Sequence, residues 1–477
     1  MSSSFGKNIF FLLTLNLLVK PIWIFGIDRV VQNQLGEEPY GIYFSLMSLA
    51  MVLGIIQDVG LTTFTNRHIA QNEHLFKSYF PKMFGLKLVL ASVSFLVVFG
   101  LGILMGYQAQ WQLLFFILLN QTILSAILFV RANLGALHLF KKDSIISILD
   151  RLLLILIVGV FLYIPMFQPQ FSLFNFILAQ TIGYGITLMT ALGFLLNKLG
   201  GFSIRFSLPF SVSIMKSSLP YALLFFLMYL YTRMDAIMLD RLHPNGSFEA
   251  GVYAKGYRIL DAINMISYLF SVILLPMAAK QIKQELNISP LVVGAFKLLV
   301  FPVILGVLLL VQFKDWWMEL LYYSQNTYQN LVFAMVIINA FPMALVYIFG
   351  TVLTSAEKIK FLNKVALGGF ILNLTLNLIL IPTKGAFGAA VATIITQGIT
   401  AIIQVIYALK ALNISLGKGM LYRGFIFLLS VLIASYLLQF SAISDVLSLV
   451  ILLMFGTILL FMLNIISLTS IKSFFNK

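Results

Sequence analysis

The sequence predicts an all-α integral membrane protein of about fourteen transmembrane helices, arranged as two pseudo-symmetric six-helix bundles plus two appended helices, with the N- and C-termini cytoplasmic. Three observations carry this prediction. Of the 477 residues, 61% are hydrophobic and only 10% charged, against about 25% charged in a typical soluble domain. A soluble fold of that composition would expose apolar patches that soluble monomers avoid. Apolar runs of about 20 residues, the length that crosses the hydrocarbon core, recur along the whole chain. The basic residues fall in alternate loops, as short loops of a multi-span protein require.

The runs, in order, are 9–28, 41–64, 83–106, 112–136, 145–164, 172–196, 218–239, 251–276, 294–312, 330–353, 362–381, 386–409, 424–440 and 446–470. The late ones are the cleanest: Val365–Thr383, Gly385–Leu409 and Val446–Ile471 contain no charge. Of the 31 basic residues, 22 fall on one side, from Lys7 and Lys77 to Lys472 and Lys477. Four (Arg29, Arg241, Lys314 and Lys384) fall on the other. The first side is therefore expected to be cytoplasmic and to hold both termini. Trp23, Trp111, Trp316 and Trp317 lie toward the opposite side, where indole anchors at the headgroup level.

Composition also excludes several functions. The chain has no cysteine, which removes disulfides, thiolate metal sites and thiol nucleophiles. His68 and His74 are six apart, the wrong spacing for a zinc pair on one helix face, and no metal or other cofactor is expected. The net charge of +15 is explained by the membrane flanks, and no nucleic-acid partner is expected. Lys7 and the run after it resemble a signal peptide but lack a small-residue cleavage site before Asp28 and Arg29. All loops are short and no Walker-type glycine loop occurs, so no ATP-hydrolysing or other enzymatic domain is expected.

An internal repeat is visible. Asp28 is followed 13 residues later by Gly41-Ile42-Tyr43, and Asp235 is followed 16 residues later by Gly251-Val252-Tyr253. Six spans separate the copies. An even number preserves orientation, so the repeats are parallel, related by an axis along the membrane normal. This gives bundles over 1–200 and 201–410, with 411–477 appended, and places a site between the bundles.

Nine ionisable residues lie inside spans: Lys20, Asp58, Asp150, Arg151, Arg233, Asp235, Lys255, Arg258 and Asp261. Each costs on the order of 2.5–3.5 kcal/mol at a helix centre, so each is a candidate for function. Lys20, Arg151, Arg233, Lys255 and Arg258 form the expected cationic cavity, suited to phosphate or diphosphate. Asp150, Asp235 and Asp261 are the candidates for ion coupling. Asp150 and Arg151 are adjacent, so their side chains leave the helix about 100° apart. Lys20 has no partner nearby in sequence. Lys87, Arg131, Lys297 and Lys364 lie near inner ends and are expected to snorkel. Asp58 is read as a local cap or as a partner of Arg67. Asn373, Asn377 and Gln397 are read as packing glue between helices.

QDVGLTTFTNR at the end of span 2, GIY opening it, SLPYALLFFLMYLYTRMDAIML running to GVYAKGYRILDA, and NLTLNLILIPTKGAFGAAVATIITQ stand in this order along the chain. In this the chain resembles the polysaccharide-exporting flippases, the O-antigen flippase type, of the multidrug/oligosaccharidyl-lipid/polysaccharide exporter superfamily. The resemblance implies two bundles around a cavity that opens alternately to either side of a bacterial cytoplasmic (inner) membrane. It implies an undecaprenyl-diphosphate-linked oligosaccharide as substrate, coupling to H+ or Na+, and polysaccharide-assembly machinery as partners. It also implies that helices 13 and 14 help with the lipid tail. A drug/cation antiporter of the same superfamily would have an acidic pocket and usually twelve spans. A peptidoglycan-precursor flippase would differ only in the glycan. A membrane polymerase or ligase would need a larger outer loop.

Overall fold

The computed structural model describes residues 16, 18–62, 65, 69, 73–199, 204–440 and 443–467. No strand occurs among them. The chain divides into two compact units, Met1–Gly251 and Val252–Lys477. The helices of the first are α1 (Arg29–Leu35), α2 (Glu37–Leu53), α3 (Phe76–Leu104), α4 (Trp111–Ala136), α5 (Phe140–Tyr163), α6 (Leu173–Leu199) and α7 (Leu208–Leu242). Helix α8 (Gly246–Lys283) begins in the first unit and runs through the second. The second unit continues with α9 (Ser289–Gln312), α10 (Lys314–Leu321), α11 (Thr327–Ile338), α12 (Ala340–Ser355), α13 (Ile359–Ala411), α14 (Lys418–Gln439) and α15 (Asp445–Met462).

Among the described residues, twelve helical stretches are long and apolar enough to cross a membrane. Several expected spans depart from a plain helix. Span 2 stops being α-helical at Leu53, and a 3-10 turn takes over at Gly54–Gln57. Span 10 is interrupted at Asn339, between α11 and α12. Pro342 has no N–H to return to Ile338, so the ladder loses a rung there. Spans 11 and 12 appear as one helix of 53 residues, which if straight would measure about 80 Å. It is not straight: Gly385 has φ 52° and ψ −134°. The rings of Phe361 and Tyr407, near the two ends, stack with centroids 3.6 Å apart. The run is therefore a hairpin, and span 1 lies partly outside the described residues.

In the first unit α6 packs on α4 and α5, and α7 packs on α2. The start of α8 lies very close to α2. A Cβ on Gly41 would stand 1.8 Å from the Ser247 carbonyl, and one on Gly251 would stand 2.0 Å from that of Glu37. The two glycines of the repeated G-[IV]-Y therefore let backbones touch, the use small residues have between membrane helices. In the second unit α14 and α15 dock on α9 through Phe301, Leu305, Phe427, Val431, Leu452 and Leu460. Gly424 and Gly456 lie under Phe301 and Leu305. Outward faces such as Leu96, Leu156 and Met189 are exposed apolar surface, suited to lipid.

Candidate functional site

The first unit gathers part of the predicted cationic set. Pro21 cannot close the α-ladder, and the next seven residues, Ile22–Asp28, form a π-helix in which the Arg29 N–H donates to the Ile24 carbonyl. π-Segments of this kind are frequent at functional sites. The segment buries Trp23, Ile27 and Asp28. Lys20 stands just before it, half-buried and within electrostatic reach of Arg151, Arg131 and Asp150. The Arg151 guanidinium lies 5.3 Å from the centre of the Trp23 ring, a cation–π distance, and its side chain is 27% exposed. Trp23 stacks on Phe176, whose ring meets Tyr43 edge-on. The Tyr43 hydroxyl accepts from Gln180 Nε2 at 2.8 Å. Asp28 accepts from the Tyr40 hydroxyl at 3.0 Å and lies within electrostatic range of Arg151.

One expectation about these residues needs correction. Asp150 and Arg151 do interact: Arg151 Nε is 3.6 Å from Asp150 Oδ2, because the long arginine side chain folds back toward its neighbour. Lys20, with no partner nearby in sequence, feels Asp150 and Arg151 of α5 and Arg131 of α4. Sequence reasoning missed Asp28 as a buried site residue, having used it only as a repeat marker. It also missed Gln32, one turn beyond Asp28, which is buried with no hydrogen-bond partner among the described residues.

On α7, Asp235 is fully buried and Arg233 half-buried. On α8, in the second unit, Lys255 is buried. Its ammonium donates to the Ser324 carbonyl at 2.6 Å and to Gln329 Oε1 at 2.9 Å. The Tyr322 hydroxyl donates to the Lys255 carbonyl at 3.0 Å. Lys255 thus ties α8 to the 322–326 loop and to the first turn of α11. Arg258 and Asp261, half-buried, lie about one and two turns further along α8.

Other charges behave differently from expectation. Lys87 does not snorkel; it is 3% exposed and bonded inside the first unit. Arg131 pairs with Asp143 at 2.7 Å, joining α4 to α5. Asp58 does cap locally, accepting from Thr62 N and, at 2.6 Å, from Thr62 Oγ1. Its ion partner is Lys87 at 3.5 Å, and the expected partner Arg67 lies outside the described residues. Asn377 Nδ2 donates to Asn373 Oδ1 at 3.0 Å, one turn away on α13, and both side chains are buried. Asp240 is an unforeseen centre: it accepts from Tyr107, Ser247 and Arg241, each within 2.8 Å. No cluster of three or more metal-ligating His, Asp or Glu side chains occurs among the described residues.

Solved structures of similar fold are known. The structure is similar to that of the lipid II flippase MurJ in an inward closed conformation, with a TM-score of 0.65 and 14% identity over 95% of this chain and 97% of that one. It is also similar to an inward-facing multidrug resistance MATE transporter of the MOP superfamily, with a TM-score of 0.56 and 14% identity over 84% and 94%. A MOP superfamily transporter from Pyrococcus furiosus, described as having a binding pocket of reverse polarity, matches with a TM-score of 0.57 and 13% identity over 85% and 94%. At such identities the likeness establishes the fold. No curated protein matches the sequence. Residues 5–281, more than half the chain, match the family described as polysaccharide biosynthesis protein. With its all-helical membrane fold, the chain belongs to that family.

Proposed function

We propose that the protein is a flippase that moves an undecaprenyl-diphosphate-linked oligosaccharide from the inner to the outer leaflet of a bacterial cytoplasmic membrane, by alternating access, for O-antigen-like polysaccharide export. Membership of the polysaccharide biosynthesis family supports this reading, and one observation carries the substrate chemistry. Lys20 and Arg151, from helices far apart in sequence and both half-buried, lie within electrostatic reach of each other beside the π-helical segment. Two half-buried cations so placed attract a group with more than one negative charge, which a diphosphate supplies. Arg233 and Arg258 are the further cations assigned to the substrate path. Asp150, Asp235 and Asp261 are assigned to ion coupling. Lys255 is assigned to holding the 322–326 loop and the start of α11 as well as to the local positive field.

The decisive experiment is an export assay on Lys20→Met, Lys20→Met/Asp150→Asn and Lys20→Met/Asp261→Asn. The expected result is loss of export in all three, with protein still present in the membrane, because the substrate phosphates have lost a counter-charge. Recovery in either double variant would mean that Lys20 only neutralises an acid. Full export by the single variant would remove Lys20 from the site.

A further inference from the structure

The second span contains a polar break. α2 ends at Leu53, Gly54–Gln57 form a 3-10 turn, and Val59 sits at φ 38° with Gly60 at φ 80°. A β-branched residue in the left-handed region is strained and persists only where its surroundings enforce it. Here they do. Lys87, from α3, donates to the Gln57 carbonyl at 2.9 Å and to Ser125 Oγ, on α4, at 2.6 Å. Its ammonium lies 3.5 Å from Asp58 Oδ1. Gln57 Nε2 donates to Thr122 Oγ1 at 3.1 Å, while Gln57 Oε1 is buried with no partner among the described residues. A Cβ on Gly60 would meet Ser218 Cβ of α7 at 2.4 Å, so the break is packed tightly from that side too.

A carbonyl freed by an unwound helix, a hydroxyl and a carboxylate form the oxygen set that coordinates alkali cations in transporters. We propose that this break is a monovalent-cation site in which Lys87 is the cation, fixed to the chain. Its ammonium holds span 2 unwound and occupies the place an alkali cation would take, so that the break is indifferent to Na+ while the lysine is present. The site does not rest on the transport reading above. Among the described residues, Asp58 is the carboxylate that faces the ammonium. On the helices around the break, α2 carries Glu37 and Glu38 at its far end, and α3 carries Lys77 and Lys82 near its start. Arg131 of α4 is paired with Asp143, and Lys216 of α7 is exposed. The remaining charges of α7, Arg233, Asp235, Asp240 and Arg241, lie in its last third.

Hydrogen–deuterium exchange on the detergent-solubilised full chain, read at residues 54–62, tests the site without any substrate. Its failure is therefore distinct from failure of the export assay. Lys87→Ala in choline chloride should raise exchange there about tenfold over the wild type. Replacing choline with Na+ should restore protection, because a free cation then fills the vacated place. The wild type should be unchanged by the swap at these residues, and Lys87→Ala/Asp58→Asn should not respond to Na+. Exchange in Lys87→Ala that equals the wild type, or that ignores Na+, overturns the proposal, as does a wild type that responds to Na+ at these residues. If Lys87→Ala does not fold, Lys87→Met keeps most of the volume without the charge. The proposal then requires faster exchange at 54–62 with the rest of the chain unchanged, and wild-type protection there defeats it.

Discussion

A charge inside a membrane protein persists when the fold supplies acceptors, and four deep charges here are each solved in their own way. Lys87 uses a freed carbonyl, a hydroxyl and a carboxylate. Lys255 uses a loop carbonyl and a carboxamide. Arg151 uses its neighbour Asp150 and the face of Trp23. Asp240 collects two hydroxyls and a guanidinium, and Arg241 also lies 3.6 Å over the Tyr107 ring. Tyr107 is in a turn outside the spans. Burial, followed by the Asp240 carboxylate, pushes its phenol above the ordinary value, with Arg241 opposing. The neutral phenol is the form the fold favours. The stability it contributes is therefore present below about pH 10, the ordinary phenol value, and is lost as pH rises through the higher folded value. Tyr107→Phe should cost about 1–2 kcal/mol at neutral pH by leaving Asp240 short of a donor. It should also flatten the alkaline fall of the melting temperature. A variant whose alkaline limb superimposes on that of the wild type would show that the phenol does not titrate as described.

At the scale of elements, most of the spans were legible from apolar run length, but their interruptions were not. Pro21 announced a disturbance in span 1, and Pro342 coincides with the break in span 10, since a missing N–H is visible in sequence. The break at Gly54–Gly60 was hidden. Its glycines and Asp58 read equally well as an ordinary helix end, and nothing local showed that Lys87 would reach the freed Gln57 carbonyl. The repeated glycines were legible as a motif but not as a contact. That contact makes a sharp prediction. Gly41→Ala drives a methyl against the Ser247 carbonyl and should destabilise the chain by about 1–3 kcal/mol, the usual cost of overpacking. Gly100→Ala, which meets nothing within 4 Å, should be neutral or slightly stabilising, as Ala is the better helix former. Equal melting temperatures for the two variants would contradict the close approach of α2 and the start of α8.

At the scale of the molecule, orientation rests on the sorting of basic residues and is open to direct measurement. The chain is free of cysteine, so single cysteines report without background. Asn245→Cys and Ser324→Cys, at exposed positions on the side with few basic residues, should react with a membrane-impermeant thiol reagent added outside intact cells. Ser78→Cys and Ser415→Cys, also exposed, should react only after permeabilisation. Reversed labelling would invert the topology, and labelling of all four from outside would overturn the span count.

The sequence by itself determined the solvent, the helical class, most of the spans, the repeat and the family, because these follow from summed hydrophobicity, run length and local motif order. It also marked which helices carry deep charge. Only the tertiary structure decided what each charge does. Whether an ammonium snorkels, as expected for Lys87, or is buried on a broken helix depends on which neighbouring helix lies beside it and at what height. The same holds for Lys255, drawn to a loop some 70 residues away, and for Lys20, which meets Arg151 only because α5 packs beside the π-helical segment. Such pairings are set by long-range packing, in which distance along the chain carries no information about distance in space.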